Sequence, residues 1–333
     1  MNFENMLKKV PNNAVLTQDQ WWVWGASMVR DDKGRCHLFY SRWPKETGFQ
    51  SWVTHSQVAH AVSDNELGPY EYVSEALPAR GKQFWDGDCT HNPTVHKFAG
   101  KYYIYYMGNR GDSVIEPDPT NLNWTHRNNQ RIGVAVADDP NGPWQRFDEP
   151  VIDVSEDNDA PDSLCIANPS VTQTPDGRFL MVYKSVASKR PMPFGGPVSH
   201  MVAFADKPEG PFVKDKREVF TCEGIDFPAE DPFIWYSRED EMYYAIVKDM
   251  KGSFTGAGTS LALFCSADGI DWKAADHPLA GKLEINWENG VQKVARLERP
   301  QLWLEEGRPS VLFAAVMDLD GNTFNVHIPL CTN

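Results

Sequence analysis

The chain has 333 residues, of which 41% are hydrophobic and 12% aromatic, enough for a large core, and no window is polar and repetitive enough to read as disorder. Its formal net charge of −14 argues against nucleic acid and against an anionic membrane surface as partners, since both call for basic stripes. No apolar run approaches the roughly 20 residues of a membrane span, and the opening MNFENMLKKVPNN lacks the apolar segment of a secretory signal.

Six cysteines stand singly at 36, 89, 165, 222, 265 and 331, without metal-ligand spacing, so buried free thiols and no metal site are expected. That suits a cytoplasmic chain; one trimmed of a signal and working in the periplasm or outside the cell would read the same.

In chain order, the elements are hairpins. WGASMVRDDKGRCHLFYSRW sets alternating apolar residues on both sides of DDKG, and HNPTVHKFAGKYYIYYMGN turns at AG. ANPSVTQTPDGRFLMVYKS turns at PDG, EDPFIWYSREDEMYYAIVKD near positions 238–241, and ERPQLWLEEGRPSVLFAAV at EEG, followed by the strand-like TFNVHIPL. The first four hairpins each lead to a similar sentence: HAVSDNELGPY, GVAVADDPNGPW, VAFADKPEGPF and, more loosely, LALFCSADGIDW. These copies end at Tyr70, Trp144, Phe212 and Trp272, roughly 60 to 75 residues apart. Repeated units of several short strands around one centre predict an all-β chain, a five-bladed β-propeller. It is expected to form one domain over 1–333, with blades starting near 24, 91, 168, 231 and 299. The fifth hairpin lacks a marker, and the amino-terminal AVLTQ is the segment expected to supply its missing strand. Helical periodicity is weak, the best short candidate being 5–9.

In a propeller the first strand of each blade starts near the axis at one face and the second returns there. The strand starts bring Trp24, His91, Asn92, Asn168, Glu230, Asp231, Glu298 and Arg299 to one mouth, and the second-strand ends bring Arg42, Asn109, Lys184 and Lys248. Four starts carry Pro next (93, 169, 232 and 300), as suits a position that donates to no ladder. Asp231, Asp88 and Glu230 are the leading catalytic candidates, followed by Asp162, Glu298 and His91. The other eight mouth residues are assigned to substrate binding.

Each candidate has a structural alternative. Asp86 and Asp88, in FWDGDCTHNP, suit an Asx turn, and Asp162 occupies the equivalent loop DAPDSLCIANP. Glu298 can simply pair Arg299, His91 can bridge strands, and Asn92 and Asn168 can hold the next blade instead of a sugar. Trp21, Trp22, Trp24, Trp43, Trp52 and Trp85 crowd the first two blades, where indole faces suit sugar rings, although most tryptophans belong to core. TGAG and FGGP open no helix after a strand, so they read as flexible rim loops and not as phosphate cradles.

Five hairpin-led blades, an acidic residue before Pro at an inner strand start, and the AxADxPxGPW marker together resemble the five-bladed β-propeller glycoside hydrolases. The nearest pattern is family 43 and its relatives, including family 117, with the invertase-like family 32 further off. The resemblance implies exo-acting, inverting hydrolysis of a terminal glycosidic bond of an oligosaccharide, by an acid, a base and a third carboxylate that tunes them. In family 43 an Asp opens blade one as general base, whereas this chain has WGAS there. Either the base has moved to Asp86 or Asp88, or the chain is a distinct branch. The EDP of positions 230–232 resembles an RDP-type motif with Glu in place of Arg.

The chemistry needs one carboxyl that holds a proton and another that activates water, and adjacent acids such as 230 and 231 raise one another's pKa. No cofactor is required, and a structural divalent cation such as calcium has room near the axis. Two other classes fit the same residues. A glycoside phosphorylase would use the four cations for phosphate, and a non-catalytic glycan-binding propeller would have lost its base. The cations also suggest an acidic or sulfated oligosaccharide, unless they serve only to neutralise the carboxylates.

Overall fold

The structure is a computed structural model that describes residues 1–331. Five antiparallel sheets follow one another along the chain. The first contains strands Trp21–Arg30, Cys36–Pro44, Gln57–Ser63 and Glu71–Leu77, and the second Cys89–Phe98, Lys101–Asn109, Arg131–Ala137 and Gln145–Arg146. The third contains Cys165–Gln173, Phe179–Val186, Val198–Ala205 and Val213–Val219, and the fourth Ala229–Ser237, Met242–Asp249, Ser260–Ser266 and Lys273–Gly281. In the fifth, Gly290–Glu305, Arg308–Asp318 and Thr323–Pro329 form the meander, and Glu284–Trp287 pairs with the start of its first strand. The outermost strand there is Val15–Leu16, whose residues face Val326 and Asn325. The chain therefore closes the ring by lending its start to the last blade as its outer strand.

The first strands of consecutive sheets pack against each other around the axis, and the last returns to the first. Between neighbouring blades lie separate apolar cores. Tyr105, Ile132, Met181 and Tyr183 belong to the layer between the second and third blades, and Val182, Phe220, Ala245 and Phe264 to that between the third and fourth. These cores are why each strand alternates apolar residues on both faces: every blade is covered on two sides.

The marker aromatics staple each blade to the one before it. Tyr70 meets His327 edge-on at 5.2 Å, and Trp144 meets Phe39 at 5.3 Å. Phe212 meets Tyr105 at 6.3 Å, and Trp272 meets Phe220 at 5.4 Å. All six cysteines are free; Cys36, Cys89 and Cys165 are buried as expected, whereas Cys222, Cys265 and Cys331 are only partly covered. Among the described residues no helix is long and apolar enough to cross a membrane.

Candidate functional site

At one register point the first strand of every blade skips two residues. The breaks fall between Val23 and Ala26, His91 and Thr94, Ala167 and Ser170, Glu230 and Phe233, and Glu298 and Gln301. In blades two to five the skipped pair is Asn92-Pro93, Asn168-Pro169, Asp231-Pro232 or Arg299-Pro300. The first member of each sits in the left-handed region, at φ of 51°, 52°, 57° and 51°. That conformation is strained for residues with a Cβ, and Pro follows where no ladder donor is needed. The bulge turns four polar side chains onto the axis, where they bond in sequence. Asn92 Nδ2 donates to Asn168 Oδ1 at 2.8 Å, and Asn168 Nδ2 donates to Asp231 Oδ1 at 2.7 Å. The Arg299 backbone N–H donates to Asp231 Oδ2 at 3.3 Å, and Arg299 Nη2 donates to the Asn92 carbonyl at 3.1 Å. In blade one the skipped pair is Trp24-Gly25.

This polar ring floors a cavity of about 340 Å³ at one end of the axis, a volume suited to a small ligand. Glu230, Asp231 and Glu298 reach it together with Asn92, Asn168, His91 and Lys184. Its walls come from the first two strands of blade one, from the connections that follow the second strands of the first three blades, and from the connection between blades three and four. Phe49 stands among Trp22, Trp24 and Trp43 at ring distances of 5.4, 5.4 and 5.5 Å, and Trp52 lies 4.9 Å from the His91 ring. Opposite them are Trp124 and Phe194, 6.0 Å apart, and Phe227.

The carboxylates are organised by a device repeated one blade apart. Lys184, opposite Ala167 on blade three, pairs with Glu230 of blade four. Lys248, opposite Glu230, pairs with Glu298 of blade five at 2.5 Å. Burial favours the proton on Glu230, but the charges of Lys184 and Lys248 outweigh it and lower its pKa to about 2. Asp231 has no such partner at contact distance, Arg299 Nη1 being 3.8 Å away. Burial first and the neighbouring Glu230 charge second push its pKa up to about 7. Burial, with Arg299 adding to it, lowers the pKa of His91, and the ring is held by Ser56 Oγ at 2.7 Å from Nδ1.

Of the residues singled out in the sequence, Trp24, His91, Asn92, Asn168, Lys184, Glu230, Asp231 and Glu298 line this cavity. Lys248 and Arg299 stand behind it, holding Glu298 and Asp231. Four expectations are corrected. Asp88 lies off the cavity, accepting from the Gly111 N–H at 3.0 Å and Ser113 Oγ at 3.3 Å, so it fastens a loop. Asp162 is buried within blade three, bound by Lys214 Nζ at 2.5 Å and the Tyr183 hydroxyl at 3.3 Å. Arg42 lies between the rings of Trp21 and Tyr72 at 4.1 and 4.0 Å, drawn away from the axis by aromatic faces and by Glu75 at 3.4 Å. Asn109 is two residues beyond the position equivalent to Lys184, which is Met107 opposite His91. It bonds the Val53 carbonyl at 2.9 Å and His126 at 2.8 Å instead. Asp86, the other candidate for a displaced base, is fully buried and takes Arg80 Nε at 2.6 Å and the Tyr106 hydroxyl at 2.7 Å.

Sequence reasoning missed Phe49, Trp124, Arg127, Phe227 and Arg296, which also line the cavity. For Trp124 and Arg127 the long connection 110–130 between two clear strands was the best available signal. FGGP belongs to the rim, contributing Phe194, whereas TGAG does not line the cavity; Asp249 accepts from the backbone N–H groups of residues 251–255, the last of which opens TGAG. Among the described residues no group of three or more His, Cys, Asp or Glu side chains is placed to hold a metal ion.

No protein-family profile and no curated protein sequence matches the chain. Solved structures match over its whole length. A family 117 glycoside hydrolase from the marine bacterium Zobellia galactanivorans superposes with a TM-score of 0.65 at 15% identity, covering 99% of this chain and 92% of its own. An endo-arabinase from Bacteroides thetaiotaomicron gives 0.62 at 12% identity, with 98% of each chain covered. An arabinanase of Bacillus subtilis gives 0.59 at 16% identity, covering 92% of this chain and 96% of that one. The fold of this chain is the five-bladed β-propeller of these glycoside hydrolases.

Proposed function

We propose that the protein hydrolyses a terminal glycosidic bond of an oligosaccharide, in exo fashion and with inversion, and that it needs no cofactor for this. The observation that carries the reading is the convergence of Glu230, Asp231 and Glu298 on the floor of one aromatic-walled pocket. An oxocarbenium-like transition state calls for a proton on the leaving oxygen and an activated water on the opposite face of the sugar. Asp231, its pKa pushed up to about 7, is still protonated in about half of the molecules at neutral pH and acts as the general acid. Glu230, pinned by Lys184, maintains that proton through its negative charge. Glu298, one blade on and paired with Lys248, is the base that takes the proton of the attacking water. The aromatic walls stack the sugar and exclude bulk solvent.

The test is turnover on a panel of aryl glycosides and plant and algal oligosaccharides, with the product anomer followed by proton NMR. Asp231→Asn and Glu298→Gln are each expected to lose about 10²-fold or more in kcat. Wild-type rates in both variants, or turnover that requires added phosphate, would reject the assignment.

A further inference from the structure

Arg127 differs from the other cations of the pocket. Lys184, Lys248 and Arg299 each face a floor carboxylate, and Arg296 at the rim lies 3.9 Å from Glu298. Arg127 lines the cavity, is 5% exposed and forms no ion pair among the described residues. Its hydrogen bonds all leave from one nitrogen: Nη1 donates to the Phe194 carbonyl at 2.7 Å and to Asn128 Oδ1 at 2.9 Å. Nε and Nη2 donate to no protein acceptor among the described residues.

The guanidinium is also well fixed. The Phe194 and Trp124 rings lie 4.9 and 5.7 Å from its central carbon. It rides on the short helix Trp124–Asn128, which Asn123 caps through the His126 N–H at 3.0 Å and Asn109 braces through the His126 ring at 2.8 Å. A buried charge without a counter-charge is costly, and here the orientation is maintained without one. The unused Nε–Nη2 edge presents two parallel donors, the arrangement that receives two oxygens of one anion.

We propose that Arg127 anchors an anionic group, a carboxylate or a sulfate, on the saccharide bound in this pocket, so that the substrate class is acidic oligosaccharides. The proposal rests on the saccharide reading of the same pocket. It moves the recognition of charge from Lys184 and Lys248, which the floor carboxylates occupy, to the wall between blades two and three.

The experiment is a binding titration of the full chain, native and as Arg127→Met and Arg127→Lys. The probes are digalacturonic acid and its dimethyl ester, glucuronic acid and its methyl ester, galactose 6-sulfate and galactose, and inorganic phosphate. At least one anionic sugar should bind about tenfold or more tightly than its neutral counterpart. That preference should vanish in Arg127→Met, survive in part in Arg127→Lys, and weaken with added salt. The probe that wins separates carboxylate from sulfate. If no anionic probe outbinds its neutral form, the proposal falls. Equal losses of neutral and anionic binding in Arg127→Met overturn it too, since Arg127 would then only hold the Phe194 loop. Phosphate binding coupled to phosphate-dependent turnover would instead assign the site to a phosphorylase. Anion-selective binding without turnover would leave Arg127 in place and remove the hydrolase, whereas turnover of neutral sugars alone would do the reverse.

Discussion

Gly25 stands directly against Arg299: a Cβ at position 25 would lie 2.9 Å from Arg299 Cβ and 3.3 Å from its Nε. In blade one the register gives the axial place to Trp24, and Gly25, standing where the other blades carry Pro, leaves room for the long side chain from blade five to cross to the Asn92 carbonyl. The WGAS that departs from the family 43 pattern is the space that lets Arg299 complete the polar ring.

Gly25→Ala is accordingly expected to overpack the axis, at about 1–3 kcal/mol of stability. Chemical denaturation checks this. Arg299→Ala in the same background should cost less than it does alone, because the clash is then relieved. An undiminished stability in Gly25→Ala would show that the axial backbone moves freely.

The alkaline limb of kcat/KM should lie near pH 7 if Asp231 is the acid. Removing the Glu230 charge takes away a neighbour that keeps the proton on Asp231, so Glu230→Gln should move that limb to lower pH. Stability follows the same group with a definite sign. Folded Asp231 binds its proton more tightly than the unfolded carboxyl does, so folding takes up a proton between about pH 4 and 7 and stability falls as pH rises through that window. Asp231→Asn should flatten that slope, as urea titrations at several pH values would reveal.

Lys184→Met strands Glu230 on the pocket floor, and roughly 3 kcal/mol of stability should be lost. The double variant Lys184→Met with Glu230→Gln should recover much of it, giving a coupling energy well above that of an exposed pair. Additive effects would mean that the two side chains do not depend on each other.

Asp86 ties together Arg80, Tyr106 and Arg146, the last at 3.3 Å, in the interior of blade two. Asp86→Ala should lower the melting temperature strongly while the folded fraction keeps its kcat, whereas Asp88→Asn should change either only slightly. A selective loss of kcat in Asp88→Asn would return it to the catalytic set.

What the sequence determined by itself was what repeats locally. Hairpin turns at DDKG, AG, PDG and EEG, alternating strands and four aromatic-ended markers set the blade count, because turns and alternation are written in neighbouring residues and the markers recur along the chain. The acid-Pro start at 230–232 was legible for the same reason, since a bulge followed by Pro is written in adjacent residues. The site needed more than that. Lys184 and Glu230 are 46 positions apart and Asn92 and Arg299 207 apart. Only ring closure, completed by Val15–Leu16 on the last blade, brings them onto one axis. Asp88, Asp162, Arg42 and Asn109 had the right residue types beside the right strands, yet the register and local partners of each strand direct them elsewhere. The walls depended still more on tertiary structure. Trp124, Arg127 and Phe227 lie in connections without periodicity, and they face the cavity because the loops of different blades converge over the axis.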